Sequence, residues 1–141
     1  MSAPNPYSYN VREVKRVIDG DTIDCILDLG FDMMMEARVR LAGIDAPSNR
    51  TKDEEEKKYG NHAKEWLEKH LENADSIIIT TEYDKEKGKY GRVLGTIWVN
   101  GTNLNHQMII EHHAVAYDGG DKSKLKLMHL ANRQMLNEMW E

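Results

Sequence analysis

The stretch VREVKRVIDGDTIDCILDLGFDMMMEARVRLAGI, residues 11–44, contains three runs that are typical of consecutive β-strands. Apolar and charged residues are interspersed in VREVKRVI (11–18), which predicts a half-buried strand. The second run is TIDCILDL (22–29), which ends at Gly30, and the third is MMEARVRLAGI (34–44). Three such strands joined by short turns predict an antiparallel meander.

The rest of the chain predicts a helix, two more strands and two further helices. A charge-dense stretch at 48–60 predicts a surface loop. The later patterns are, in chain order, a helix at 62–73, strands at 76–83 and 92–99, and helices at 103–111 and 121–139. This order predicts an α+β fold, a five-stranded OB-type β-barrel with three helices. Another small α+β domain stays open, because the pattern alone does not decide how the sheet closes.

Length and composition predict one domain without a membrane segment. The chain has 141 residues, enough for one hydrophobic core and too few for two. Pro4 and Pro6 oppose regular structure, so residues 1–10 are predicted to be a flexible arm and residues 11–141 the single domain. The single cysteine, Cys25, excludes a disulfide framework and a cysteine-built zinc site. No apolar run approaches the ~20 residues of a membrane span, and the first ten residues do not resemble a signal peptide, so we expect a cytoplasmic protein. We also expect a monomer.

The net charge is −5, from 19 basic and 24 acidic residues. A protein that binds nucleic acid through a broad surface is usually basic, because each contacted phosphate needs a cation. The composition therefore excludes a uniformly basic binding surface. If phosphate is the ligand, we expect a small, local site.

Three aspartates stand where they could hold a metal ion. In DGDT (19–22), Asp19 and Asp21 would share one face of a regular strand, and Asp45 follows the third strand. Hard divalent cations bind several oxygen ligands, and crowded carboxylates repel one another unless a cation or proton neutralises them. The alternative is that DGDT is only a turn and Asp45 only a cap.

Two arginines could bind a phosphate group. Arg40 lies on the polar side of the strand that leads to Asp45, and Arg92 opens another strand. Two guanidinium groups that converge on one phosphoryl group would bind its oxygens and neutralise charge in the transition state. The alternative is a pair of exposed arginines in surface salt bridges.

Five short motifs occur in the order found in one family. They are VIDGDT (17–22), RLAGIDAP (40–47), KYG (58–60), KYGR (89–92) and VAY (115–117). In this order the chain resembles the staphylococcal nuclease family over residues 11–140. The resemblance implies the OB barrel and calcium-dependent endo- or exonucleolytic cleavage of DNA and RNA, with flexible or single-stranded nucleic acid as the substrate.

The resemblance also implies a role for individual residues. Asp21 and Asp45 would be Ca²⁺ ligands together with the backbone carbonyl of Ala46, and Asp19 would hold water near the metal. Ala46 stands where the family has threonine, which leaves the carbonyl available.

The substrate contacts follow from the same resemblance. Arg40 and Arg92 match the two arginines that clamp the phosphate. Lys89 and Tyr90 match residues near a terminal phosphate, and Tyr117 matches an aromatic residue that lines the nucleotide pocket.

One departure from the family pattern concerns catalysis. The family reads Asp-Thr-Pro-Glu where this chain has DAPS (45–48), so Ser48 replaces the glutamate proposed as the general base. General-base assistance contributes roughly 10²–10⁴-fold to a rate, and a serine hydroxyl does not accept a proton at neutral pH. We therefore expect a slow nuclease unless another group substitutes. The side chains of Glu54–Glu56 could reach back, or they could form a solvated acidic loop. The alternative function is a disarmed nuclease fold that binds nucleotides, nucleic acid or protein.

Overall fold

Eight strands and three α-helices occur within residues 7–81, 93–117 and 122–140, the part of the chain that the computed structural model describes. The strands are β1 (Ser8–Asp19), β2 (Thr22–Gly30), β3 (Met33–Leu41), β4 (Ile44–Asp45), β5 (Ile77–Thr81), β6 (Val93–Val99), β7 (Thr102–Asn103) and β8 (Val115–Ala116). The helices are α1 (Glu54–Glu72), α2 (Leu104–Ile110) and α3 (Leu125–Trp140), and a 3₁₀ turn at Lys122–Lys124 precedes α3.

Five of these strands close into a barrel. The sheet order is β3-β2-β1-β5-β6, and β3 also pairs in parallel with β6, which joins the two edges. The pairs β1–β2 and β2–β3 form the meander. Side chains that point into the barrel are fully buried, among them Ile23, Val39, Ile79 and Ile97. The predicted α+β fold, a five-stranded barrel with three helices, is confirmed.

The start of α1 was predicted wrongly. The helix begins at Glu54, inside the segment 48–60 that was predicted to be a loop. The Asp53 carboxylate accepts hydrogen bonds from the backbone nitrogens of Glu55 and Glu56, which satisfies two free donors of the first turn. Three glutamates in that turn also interact favourably with the helix dipole. The acidic run is therefore a helix start.

Strand β1 begins at Ser8, earlier than the pattern predicted. Residues 8–10 pair with Ile78–Thr80 of β5, so the last residues of the predicted arm belong to the sheet. Their partners lie about 70 residues away in the chain, which local periodicity does not show. Residues 1–6, the rest of the predicted arm, lie outside the described residues. In the part of the chain that is described, each helix falls short of the length and apolarity that a bilayer span needs.

Two glycines let three segments meet at one end of the barrel. A Cβ on Gly20, in the β1–β2 turn, would lie 2.7 Å from the Cβ of Ala63 in α1 and 3.0 Å from the Cβ of Ala46. A Cβ on Gly60 of α1 would lie 2.4 Å from the carbonyl oxygen of Ser48. A side chain at either position would push these segments apart, so both positions favour glycine. The turn, the segment after β4 and α1 therefore pack closely where the predicted site residues lie.

Candidate active site

Asp21 is a buried carboxylate in the β1–β2 turn, only 7% exposed. Its Oδ2 accepts a hydrogen bond of 2.9 Å from the backbone nitrogen of Ala46, and its Oδ1 accepts one of 3.0 Å from the hydroxyl of Thr22. Its own backbone nitrogen donates to Oδ1 of Asp19 at 3.2 Å. Burial raises the pKa of Asp21 well above its ordinary value, Asp19 adds to the rise, and Arg40 opposes it. A cation in this place would stabilise the ionised form.

Asp45 lies at the end of β4 and is surrounded by basic groups. Its Oδ2 is 2.8 Å from Nε2 of His129 in α3, and its Oδ1 is 3.6 Å from both Nζ of Lys122 and Nη2 of Arg40. Burial acts to raise the pKa of Asp45, but the His129 hydrogen bond and the two positive charges together lower it below its ordinary value. Asp45 is therefore ionised at neutral pH. Since an ionised carboxylate only accepts, Nε2 of His129 is the donor.

Arg40 lies between the two carboxylates and is held by the backbone. Its Nη1 donates to the carbonyl of Leu41 and its Nη2 to that of Ile44, both at 2.9 Å. Nη1 is also 3.4 Å from Oδ2 of Asp21, and the side chain is only 13% exposed. A guanidinium group fixed in this way loses little conformational freedom when it binds an anion.

A cleft of about 250 Å³ brings these groups together. This volume is below the roughly 300–1,000 Å³ of ordinary ligand pockets, so it suits a phosphate group better than a whole nucleotide. The charge in the cleft differs from the net charge of the chain, because four basic residues face three carboxylates. The residues that line the cleft are Ile18, Asp19, Asp21, Thr22, Arg38, Arg40, Asp45, Ala46, Ser48, Arg50 and Lys122.

Ser48 lines the cleft, and a glutamate of α1 lies beside its backbone. The hydroxyl of Ser48 accepts a hydrogen bond of 3.1 Å from the backbone nitrogen of Arg50. Oε1 of Glu56 lies 3.5 Å from the backbone nitrogen of Ser48, a long and weak contact. Glu56 itself does not line the cleft. The first turn of α1 thus brings one glutamate next to the segment that lacks the expected carboxylate.

The other predicted substrate residues are placed only in part. Tyr117 follows β8, its backbone nitrogen donates to the carbonyl of Gly43 at 2.9 Å, and Nζ of Lys122 lies 5.3 Å from the centre of its ring. Tyr117 is therefore near the Lys122 side of the cleft. The predicted residues Lys89, Tyr90 and Arg92 lie outside the described residues.

The oxygen atoms that line the cleft are of the type that binds a hard cation, although the side chains do not surround a single metal position. Carboxylate and carbonyl oxygens are the ligands that Ca²⁺ prefers, and Asp19, Asp21 and Asp45 all line the cleft. Within residues 7–81, 93–117 and 122–140, however, no group of three acidic, histidine or cysteine side chains has the arrangement of a metal site. Asp45 is paired with basic groups instead. A bound ion would take the place of weak ion pairs at Asp45 and would stabilise the buried charge of Asp21.

Two residues of the site were not anticipated from the sequence. Lys122 belongs to the 3₁₀ turn before α3, and His129 is 84 residues from its partner Asp45. His129 follows Leu125 by one helical turn, on the side of α3 that carries the buried Leu136. That position on an apolar stripe was the only available signal, and it does not identify a partner.

Comparisons with known proteins connect this geometry to one family. Residues 38–140 match the family model described as "Staphylococcal nuclease homologue". The chain is 37% identical over 134 residues to a protein named Thermonuclease from Staphylococcus intermedius, covering 91% of this chain and 74% of that protein. It is 33% identical over 112 residues to Thermonuclease from Staphylococcus hyicus, covering 79% of this chain and 60% of that protein. It is 34% identical over 114 residues to Micrococcal nuclease from Shigella flexneri, covering 74% of this chain and 57% of that protein. The chain thus spans less than two thirds of the last two relatives.

Proposed function

This chain belongs to the staphylococcal nuclease family, and we propose that it is a calcium-dependent nuclease that hydrolyses phosphodiester bonds in flexible or single-stranded DNA or RNA. The observation that carries the proposal is the convergence of Asp21, Arg40 and Asp45 on one small cleft. A cleft of this size takes up one backbone phosphate and leaves the bases outside, so we expect little sequence preference.

Arg40 is the residue that binds the phosphate in this proposal. Its guanidinium is already fixed by the carbonyls of Leu41 and Ile44, so it requires little reorganisation to stabilise the charge that develops on the phosphate oxygens. Arg92 is proposed as the second phosphate ligand, on the resemblance alone. Lys89, Tyr90 and Tyr117 are proposed to contact the nucleotide on the same ground.

The proposed calcium ligands are Asp21, Asp45 and the carbonyl of Ala46, with Asp19 holding water near the ion. Calcium, when bound, supplies Lewis-acid stabilisation of the reacting phosphate. The chain contributes rigidity, because the hydrogen bond between the Ala46 nitrogen and Asp21 joins the segment after β4 to the β1–β2 turn. Both proposed carboxylate ligands are thereby held at one end of the barrel.

Ser48 sets the expected rate. With a hydroxyl in place of the carboxylate, the attacking water has no strong base at this position, and we expect a rate lower by roughly 10²–10⁴-fold than with glutamate. Ser48 also favours a second candidate function, in which the fold binds nucleotide, nucleic acid or protein without cutting. Such a module would keep the phosphate contacts and show no turnover.

The experiment is cleavage of heat-denatured DNA in the presence of calcium, with an EGTA control. We expect slow, calcium-dependent cutting by the unmodified chain, an increase of at least about 100-fold in the Ser48→Glu variant, and a loss of about 100-fold or more in Arg40→Ala. Arg12→Ala is the matched control, because Arg12 is an exposed arginine away from the cleft, and it should cut like the unmodified chain. Cutting only by Ser48→Glu would favour the binding module. The proposal would be refuted if neither the unmodified chain nor Ser48→Glu cut DNA, or if Arg40→Ala cut like the unmodified chain.

A further inference from the structure

The hydrogen bond between His129 and Asp45 connects the last helix to the proposed calcium site. At 2.8 Å it is the shortest side-chain contact of Asp45, and the side chain of His129 is only 13% exposed. A short, shielded contact of this kind restricts the rotation of the carboxylate much more than an exposed ion pair does.

The two oxygens of Asp45 have different environments. Oδ2 accepts the His129 hydrogen bond, whereas Oδ1 faces Lys122 and Arg40 at 3.6 Å, beyond hydrogen-bond distance. Lys122 and Arg40 therefore interact only weakly with Oδ1. One oxygen is fixed, and the other remains available to a cation in the cleft.

We propose that His129 is a positioning residue that holds Oδ2 of Asp45 and so directs Oδ1 towards a calcium ion in the cleft. This inference rests on the proposed function and adds a residue of α3 to it. Hydrogen bonds to the ligands of a metal ion orient those ligands, and their removal typically weakens metal binding by about 10- to 100-fold.

A purely structural role for His129 fits the contacts less well. Leu125 and Leu136 are the buried apolar residues of α3, and Nδ2 of Asn132 donates to the carbonyl of Ala114 at 3.1 Å. These contacts attach the helix without His129. Nδ1 of His129 is buried and has no hydrogen-bond partner among the described residues, which is a cost to the fold. Its Nε2, in contrast, is directed at Asp45.

The test is the calcium dissociation constant, measured by isothermal titration calorimetry without substrate. We compare the unmodified chain with His129→Ala, His129→Gln, Asn132→Ala and Asp45→Ala, and record the melting temperature of each in EGTA. In His129→Gln the amide nitrogen takes the approximate place of Nε2 and keeps the donor. Asn132→Ala is the matched control, because it removes a hydrogen bond of the same helix that does not involve Asp45.

We expect the dissociation constant to rise about 10- to 100-fold in His129→Ala and to return most of the way in His129→Gln. Asn132→Ala should lower the melting temperature and leave calcium affinity unchanged. The inference is overturned if His129→Ala binds calcium like the unmodified chain, if it binds more tightly, or if Asn132→Ala weakens binding equally. The proposed function survives those results as long as Asp45→Ala abolishes binding. An unmodified chain that binds no calcium would refute both.

Discussion

Gly60 is the position at which one added methyl group should damage both the fold and the site. A Cβ there would lie 2.4 Å from the carbonyl oxygen of Ser48, 2.5 Å from its carbonyl carbon and 2.7 Å from the backbone nitrogen of Asn49. All three atoms belong to the backbone, so no side-chain rotation relieves the contact. Ordinary contact begins near 3.4 Å, and Gly60→Ala therefore requires a shift of about 1 Å between α1 and the Ser48 segment.

The magnitude follows from two opposing effects. Alanine favours a helix over glycine by about 1 kcal/mol, whereas overpacking costs about 1–3 kcal/mol and lies near the upper end when backbone must move. We expect a net loss of about 1–2 kcal/mol in the free energy of unfolding, which lowers the melting temperature by roughly 3–8 °C in a chain of this length. A displacement of about 1 Å near a catalytic centre lowers a rate by up to about 100-fold.

The assays are thermal unfolding followed by circular dichroism and calcium-dependent cleavage of single-stranded DNA. Asn61→Ala is the control, because Asn61 is the exposed neighbour of Gly60 in α1 and gains helix propensity without a new contact. It should be slightly more stable and equally active. If Gly60→Ala were as stable as Asn61→Ala, the close approach of α1 to Ser48 would be wrong.

Three further substitutions test single contacts. Arg40→Lys should lower the cleavage rate about 100-fold, because a lysine ammonium group lacks the two Nη atoms with which Arg40 donates to the carbonyls of Leu41 and Ile44. A rate within threefold of that of the unmodified chain would contradict the proposed binding of phosphate by Arg40. Glu56→Gln should change the rate by less than about threefold, since Glu56 does not line the cleft, and a loss of about 100-fold would instead identify it as the substitute base. Arg38 and Arg16 lower the pKa of Asp24 to about 2, with the Arg38 hydrogen bond as the largest cause. The stability that Asp24 contributes is present above its pKa in the unfolded chain and is lost as the pH falls from about 4 to about 2. Asp24→Asn should therefore lower the free energy of unfolding by about 1 kcal/mol at pH 7, a figure that allows for solvent screening of the exposed arginines, and by almost nothing near pH 2. Urea unfolding at several pH values measures both.

Local pattern predicted the barrel because its strands are amphipathic. The apolar residues Val11, Val14 and Val17 are three positions apart, and all three contact the core because the pairing of β1 with β2 shifts register after each of them. The turn that follows Gly30 separates two strands of nine residues each. The start of α1 was missed although its signals were present: Asp53 is an N-cap, and the glutamates after it suit a helix N-terminus. A dense run of charge was interpreted as solvated loop, but on a helix such residues simply form the exposed face.

The surroundings of the site were less accessible to sequence reasoning. The motifs pointed to Asp21, Arg40 and Asp45, and the structure brings all three to one cleft. The pairing of Asp45 with His129 depends on how α3 packs, and that packing joins residues 84 positions apart. No single-sequence pattern encodes such a contact, because a lone histidine on an apolar helix face has many possible partners. The role of an isolated polar residue such as His129 therefore follows only from the three-dimensional structure.

The charge distribution explains how an acidic chain could act on a polyanion. The net charge of −5 disfavours long-range attraction of nucleic acid, while Arg40, Arg50 and Lys122 give the cleft local cations for a single phosphate. Affinity for single strands depends on salt with a slope of about −0.7 per neutralised phosphate, so a one-phosphate site binds weakly and with little salt dependence. Weak binding suits a hydrolase without sequence preference, because tight binding of substrate and transition state alike does not raise the rate of the chemical step. In the proposed function, the rigid contacts of Arg40 and the His129 hydrogen bond to Asp45 would concentrate the interactions of the site at the reacting phosphate.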